Sequence, residues 1–360
     1  MAEKMLVYVG TYTRRGSKGI YIYVMDPETG SLKPAGKAVN LNNPSFLAIS
    51  PQKGSLYAVN EVHSFMGRRS GAVSSFMIDG ETGELTPLNS KPSGGTSPCY
   101  VTVDGTGRYV LTANYSSGSL CVLPVMDDGS LGEATDIIQH EGSSIDPKRQ
   151  MGPHAHSVVV DPSNRYVYAA DLGIDKIMIY KFDVERGKLK PNDQPWVRTQ
   201  PGAGPRHFTF HPNERFAYVI NELDSTIIAF SYDRESGRLK PVQTVSTLPD
   251  GYEGANYPAD IHVDPSGMFL YGSNRGHDSI AIYRIDGETG RLSLIGHEST
   301  RGRSPRNFAI DPSGDFLLVA NQDTDNIVGF RIDRETGMLE PTGEETKVPA
   351  PVCIKFLPLP

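Results

Sequence analysis

The sequence predicts an all-β fold, a seven-bladed β-propeller built from four-stranded antiparallel blades. Three observations lead there: a unit of about 50 residues recurs along the chain, each unit holds only short β-type runs, and the two chain ends supply complementary parts of one further unit. The clearest unit is Gly204 to Leu239, GPRHFTFHPNERFAYVINELDSTIIAFSYDRESGRL, and related copies begin at Gly152, Tyr257 and Ser304, with looser ones at Ser97 and Pro44. Marker prolines at 44, 98, 153, 205, 258, 305 and 351 are separated by 54, 55, 52, 53, 47 and 46 residues.

Each unit reads as four strands. The inner strand a (PRHFTFHP) is followed by b (RFAYVIN), c (STIIAFSYD) and d (RLKPVQTV), with DPSG-type turns joining a to b and ETG or ESG joining c to d. The runs are rich in Val, Ile, Tyr and Phe and never follow a helical period of 3.6, which excludes a helical array. Gly and Asn in the turns supply the positive φ that tight hairpins require.

In chain order, LVYVGTYT at Leu6 to Thr13 is a strand b without its strand a, and GIYIYVMDPETGSL supplies strand c and the following turn. The missing strand lies at the other end, in PVCIKFLP from Pro351 to Pro358. Pairing the termini closes the ring and removes exposed sheet edges. The repeat fills residues 1–360 as a single domain with no linker. No apolar run approaches the roughly 20 residues of a membrane span, and the N-terminus lacks a signal peptide's pattern, so the expected location is cytoplasmic, without membrane binding. Cys99, Cys121 and Cys353 are an odd number without metal or redox spacing, as expected for free thiols in a reducing compartment. Basic runs with interleaved aromatics are missing, so no nucleic-acid partner is expected. Oligomeric state is not encoded in any readable feature.

Blade topology sorts the residues by face. The a–b and c–d turns share one face and are monotonous, which marks structure. The b–c and d–a connections share the other and are irregular: VHSFMGRRSG after Glu61, HEGSSIDPKRQM before Gly152, TQPGAG before Pro205 and LPDGYEGANY before Pro258. Uneven loops on one face of a regular scaffold are where binding resides. Residues following the marker prolines include His154, Arg206 and Arg306, and two positions on, His156 falls in a slot otherwise apolar. The Asn residues ending strand b (Asn60, Asn114, Asn221, Asn274, Asn321) read as caps of the b–c turn, with Asp171 in the equivalent place. Behind them stand Glu61, Tyr115, Glu222, Arg275 and Gln322.

The candidate site is therefore His154, His156, Arg206, His207, Glu222, Arg275, His277 and Arg306, with Glu61 as a further substrate-binding candidate. Arginines on one rim suit a carboxylate or phosphate, and a formal net charge of −7 does not oppose this because many acids sit in the turns of the other face. The same residues have structural readings: Arg275 and Glu222 as an inter-blade salt bridge, His207 and His277 as framework. His156 costs free energy unless hydrogen bonded. The chemistry that fits is metal-free and cofactor-free acid–base hydrolysis, a Glu activating water against an ester carbonyl while Arg or His holds the oxyanion. Glu61, Asn114 and Asp171 are the remaining candidates for a metal. No GxSxG, HExxH, P-loop or Rossmann fingerprint occurs in a supporting context.

At PHAHSVVVDP, GPRHFTFHP, YVINE, PADIHVDPSGMFLYGSNRGHDSIAIY and SPRNFAIDPSG the chain resembles the seven-bladed propeller lactonases, which include bacterial 6-phosphogluconolactonases and fungal carboxymuconate cycloisomerases. The resemblance spans nearly the whole chain. It implies His156 or His154, Arg206, Glu222 and Arg275 as active-site residues, and hydrolysis of a small anionic sugar-phosphate lactone, 6-phospho-D-glucono-1,5-lactone. On this reading Glu222 is the general base, His156 a proton shuttle, and Arg206 and Arg275 bind oxyanion or phosphate with Arg306 in support. Two other readings use the same residues: lactonising cycloisomerisation, and non-catalytic binding of an anionic metabolite or a protein.

Overall fold

A computed structural model describes residues 5–52 and 54–358. Its strands form seven antiparallel sheets. Blade 1 is Leu47–Ile49, Ser55–Asn60, Ala72–Ile78 and Leu85–Pro92; blade 4 is Pro205–Phe210, Phe216–Asn221, Thr226–Asp233 and Arg238–Ser246. The intervening and following blades repeat this a–b–c–d order. In the closing blade Pro351–Pro358 pairs antiparallel with Met5–Thr11, Val9 facing Ile354, and the sheet continues through Gly19–Met25. Each innermost strand touches the next around the axis, with Pro351–Pro358 packed against Leu47–Ile49 to complete the circle. Among the described residues no helix is long and apolar enough to cross a membrane.

Two contacts explain why the turns are so uniform. In the DPSN turn, Asp161 Oδ1 accepts from the backbone N–H of Arg165 and Tyr166 while Oδ2 accepts from Ser163, Asp311 does the same in its blade, and Asp264 accepts from Phe269 and Ser266. At the c–d turn the glycine touches the preceding blade. Tyr168, Tyr218 and Tyr271 donate their hydroxyls to the carbonyls of Gly237, Gly290 and Gly337 of the next blade. Gly237 has φ +67°, and a Cβ there would lie 2.5 Å from the Tyr166 ring. The ETG glycine is thus required by conformation and by close approach. Between blades lie apolar clusters such as Tyr168, Ile179, Phe208, Val219 and Phe230, and burial of these inner faces holds neighbouring sheets together.

The strand registers revise one alignment. Pro205, Pro305 and Pro98 pair with the Asn ending strand b, but in blade 3 it is Ala155, not Pro153, that pairs with Asp171. The proline there stands two residues early. His156 therefore occupies the position of Arg206, and the core slot expected to hold His156 holds the fully buried Val158.

Candidate active site

With the register corrected, the site consists of two stacked rings at the irregular face. The lower ring, from the residue after each marker proline and, in blade 3, after Ala155, is Ser45, Cys99, His156, Arg206, Ala259, Arg306 and Val352. The upper ring, from the residue following each strand b, is Tyr12, Glu61, Tyr115, Leu172, Glu222, Arg275 and Gln322, several of whose backbone N–H groups bond back to the residue before strand a. A cavity of about 320 Å³ opens over them, lined by Glu61, Cys99, Tyr115, Arg149, His156, Glu222, Tyr257, Arg275 and Arg306. The strand-end asparagines tie the site's framework to the d–a connections, for example Asn114 Nδ2 to Ser93 O and Asn274 Nδ2 to Thr247 O.

Glu222 is the electrostatic centre. Its Oε2 receives Arg206 Nε at 2.9 Å and Arg275 Nη2 at 2.8 Å, and its Oε1 receives Arg149 Nη2 at 2.5 Å. Burial alone would raise its pKa, but Arg275, Arg206 and Arg149 outweigh that and hold the carboxyl well below its usual range. Arg206 has only 2% of its side chain exposed. Its Nη1 donates to Ala259 O and to His207 Nε2, the latter 3.1 Å away. His207 in turn donates Nδ1–H to Asp260 Oδ1 at 2.7 Å, and Asp260 also binds His262 and Asn307. Burial and Arg206 pull His207 down to about 4, so it is a neutral strut. This network lies beneath the cavity.

His156 faces the cavity as a neutral imidazole. Burial, then Arg206, drives its pKa well below 6.5. Cys99 Sγ lies 3.7 Å from its Nδ1 and 3.4 Å from its carbonyl oxygen, and Nε2 makes no hydrogen bond to the described residues. Burial raises the Cys99 thiol far above its ordinary range, so it is not a thiolate nucleophile. On the opposite wall Glu61 accepts from Tyr12 Oη at 3.0 Å and from Ser45 Oγ at 2.5 Å. Arg306 lies over the Tyr12 ring, 5.4 Å from its centre. Among the described residues its guanidinium has no hydrogen bond or ion pair, although nearby Glu61 and Glu222 favour its charge.

Of the expected residues, Glu222, His156, Arg275, Arg306 and Glu61 line the cavity, and Arg206 supports Glu222 from below. His154 lies outside it, stacked on Tyr115 with its Nδ1 2.9 Å from the Tyr115 carbonyl. His207 is in the underlying network. His277 lies apart, its Nδ1 on Ser279 Oγ and its ring against Tyr252 and His297. The salt-bridge reading of Arg275 and Glu222 describes a contact that exists. Of the metal candidates, Asp171 pairs with His140 at 2.6 Å and Asn114 is committed to the framework; among the described residues no three His, Cys, Asp or Glu side chains group as a metal site. Sequence reasoning missed Arg149, Tyr12, Tyr257 and Asp260. Only the irregularity of the His140–Met151 loop pointed toward Arg149.

A family model described as lactonase, 7-bladed β-propeller, matches residues 6–356. The chain is 41% identical over 354 residues to a 6-phosphogluconolactonase of Bacillus subtilis, covering 98% of this chain and 99% of that one. It is 36% identical to a 6-phosphogluconolactonase of Formosa agariphila over 84% of this chain and 85% of the other. The structure of a periplasmic gluconolactonase from Pseudomonas aeruginosa superposes with a TM-score of 0.94 at 35% identity, covering 99% of this chain and all of that one. With the two-ring site carried on the same closed propeller, the chain belongs to the seven-bladed β-propeller lactonase family.

Proposed function

We propose that this protein hydrolyses 6-phospho-D-glucono-1,5-lactone to 6-phosphogluconate. The observation that carries the reading is the convergence on one cavity of an ionised carboxylate (Glu222), a neutral imidazole whose Nε2 has no hydrogen-bond partner among the described residues (His156) and an arginine without a hydrogen bond or ion pair among them (Arg306). Relatives named 6-phosphogluconolactonase support the choice of substrate. Arg206 and Arg275 are committed to Glu222, which leaves Arg306 as the donor for the lactone carbonyl oxygen as it becomes an oxyanion. Water attacks C1, and Glu222 takes its proton. The C1–O5 bond then breaks, and the ring oxygen leaves as a hydroxyl with a proton relayed through His156. Tight arginine pairing makes Glu222 a weak base, which suffices for an ester that already hydrolyses slowly in water.

The test is the disappearance of freshly generated 6-phosphogluconolactone with wild-type protein, measured against the uncatalysed rate at the same pH. Acceleration well above that rate is expected. Well-folded protein that leaves the rate unchanged, while converting a muconate-type acid into its lactone, would replace this reading with the cycloisomerase one.

A further inference from the structure

We propose that Arg149 is the residue by which the site distinguishes a phosphorylated lactone from an unphosphorylated one, releasing Glu222 to grip the phosphate when substrate enters. The inference rests on the lactonase reading and names the part of the substrate that the loop recognises.

Three arginines meet Glu222, but only one is free to leave. Arg206 and Arg275 emerge from sheet strands, both bind Oε2, and both have further N–H groups engaged by backbone carbonyls: Arg206 on Ala259 O, Arg275 on Tyr257 O. Arg149 comes instead from the irregular loop, alone on Oε1, with a second and longer contact of 3.3 Å to Tyr115 Oη. Among the described residues its Nε and Nη1 have no partner, and its side chain is 35% exposed against 15% for Arg275 and 2% for Arg206. The loop backbone beneath it is fixed. Asp146 Oδ1 accepts from Lys148 N and Arg149 N, and Gln150 Nε2 bonds to Leu172 O and Asp175 Oδ1. A guanidinium held only through Nη2 on a fixed base at the cavity mouth can exchange Glu222 for a phosphomonoester carrying close to two negative charges and grip it bidentately.

The lactone carries its phosphate outside the ring, on the exocyclic C6 attached to C5, so an anchor for that arm near the mouth leaves C1 for the floor, where His156 and Arg306 stand. Withdrawal of Arg149 also uncovers Oε1, the carboxylate oxygen that no other described residue holds. Phosphate capture and exposure of the base are then one event. An unphosphorylated lactone offers Arg149 no charge to exchange for, and Oε1 stays covered.

The test compares kcat/KM for 6-phosphogluconolactone and for glucono-1,5-lactone in wild type, Arg149→Met and Arg149→Lys. In Arg149→Met the preference for the phosphorylated lactone is expected to fall by about 10- to 100-fold, the worth of one charged hydrogen-bond pair, while kcat on the unphosphorylated lactone rises because Oε1 is uncovered. Arg149→Lys, which keeps the charge without the fork, should fall between and serves if the Met variant melts too low to assay. An unchanged preference, or a parallel loss on both lactones, overturns the inference. Wild type that accelerates neither lactone overturns the underlying reading and this inference with it, whereas an active wild type with an unchanged preference in Arg149→Met removes this inference alone.

Discussion

Replacing Glu222 with Gln keeps the shape of the side chain and removes its charge, and the structure gives the consequences separate sizes. Three guanidiniums lose their counter-ion at once, and Arg206, with 2% of its side chain exposed, cannot turn to water. Stripping one partner from a buried pair costs about 3–5 kcal/mol, out of a total stability of roughly 5–15 kcal/mol. At about 2.1 cal/mol/K per residue, a chain of 360 residues shifts by roughly 1.3 °C per kcal/mol, so the melting temperature should drop by about 4–7 °C with the fold retained at 25 °C. Turnover should drop independently, by about 10²–10⁴-fold, for loss of a positioned base. The assay is lactone consumption at 25 °C beside a thermal melt of the same preparation. Added inorganic phosphate should restore part of the melting temperature, because an anion can replace the missing charge, but not the turnover. Wild-type turnover in Glu222→Gln would refute the base assignment. A large loss of turnover with an unchanged melt would refute the idea that this carboxylate also neutralises the arginine cluster.

Arg306→Met should give the opposite pattern, a melt within a few degrees of wild type, since among the described residues Arg306 lies over Tyr12 without forming an ion pair, and turnover down about 10²–10³-fold for loss of an oxyanion donor; a steep loss of stability with normal turnover would contradict this. Because burial and Arg206 hold His156 far below 6.5, its neutral form persists through neutral pH, so the acid limb of kcat/KM should lie well below pH 6.5, and a limb centred at 6.5 would exclude His156 as the relay. The same burial acts on stability. His207, at about 4 when folded, and His156 bind protons more readily when unfolded, so stability should fall as pH drops from 6.5 toward 4, by up to about 1.4 kcal/mol per pH unit for each; urea melts insensitive to pH in that window would refute it. Gly237→Ala combines a φ of +67° with a Cβ 2.5 Å from Tyr166 and should cost about 2–4 kcal/mol while leaving turnover at 25 °C intact, as a melt and the lactone assay together would show.

The blades were legible because each position is written several times over, and a departure from the repeat is readable only where the repeat defines an expectation. Glu222, Arg206, Arg275 and Arg306 stand at such positions and were found by comparison alone. His156 was found for a mistaken reason: Pro153 stands two residues ahead of the blade start, which put His156 in the core slot instead of the channel ring. Counting back from Asp161, the fixed turn residue, would have placed it beside Arg206. Arg149 lay beyond reach because its loop has no counterpart in other blades, so no expectation existed to violate. Tyr12 follows the orphan strand b at the N-terminus and takes its ring position only once Pro351–Pro358 completes that blade. His277 was placed too close to the axis because Gly276, with φ +120°, turns the chain away after Arg275.

The two rings also show why the charge pattern sits where it does. A propeller brings seven equivalent positions to one axis, so a ring of like side chains would crowd like charges in a poorly hydrated space, at a cost that rises steeply as water is excluded. Here the lower ring alternates small or neutral residues (Ser45, Cys99, His156, Ala259, Val352) with only two arginines, Arg206 and Arg306. Each of these has acidic groups within electrostatic range, Glu222 and Asp260 for Arg206 and Glu61 and Glu222 for Arg306. The difference lies in contact: Arg206 is bonded to its carboxylate and is thereby fixed, whereas Arg306 is attracted to two carboxylates and bonded to neither. An arginine of the first kind stabilises the free protein, and one of the second kind gains its hydrogen bonds only from a ligand. Binding energy available to an incoming oxyanion therefore resides at Arg306 and, once it releases Glu222, at Arg149, on opposite sides of the carboxylate that is to receive the proton.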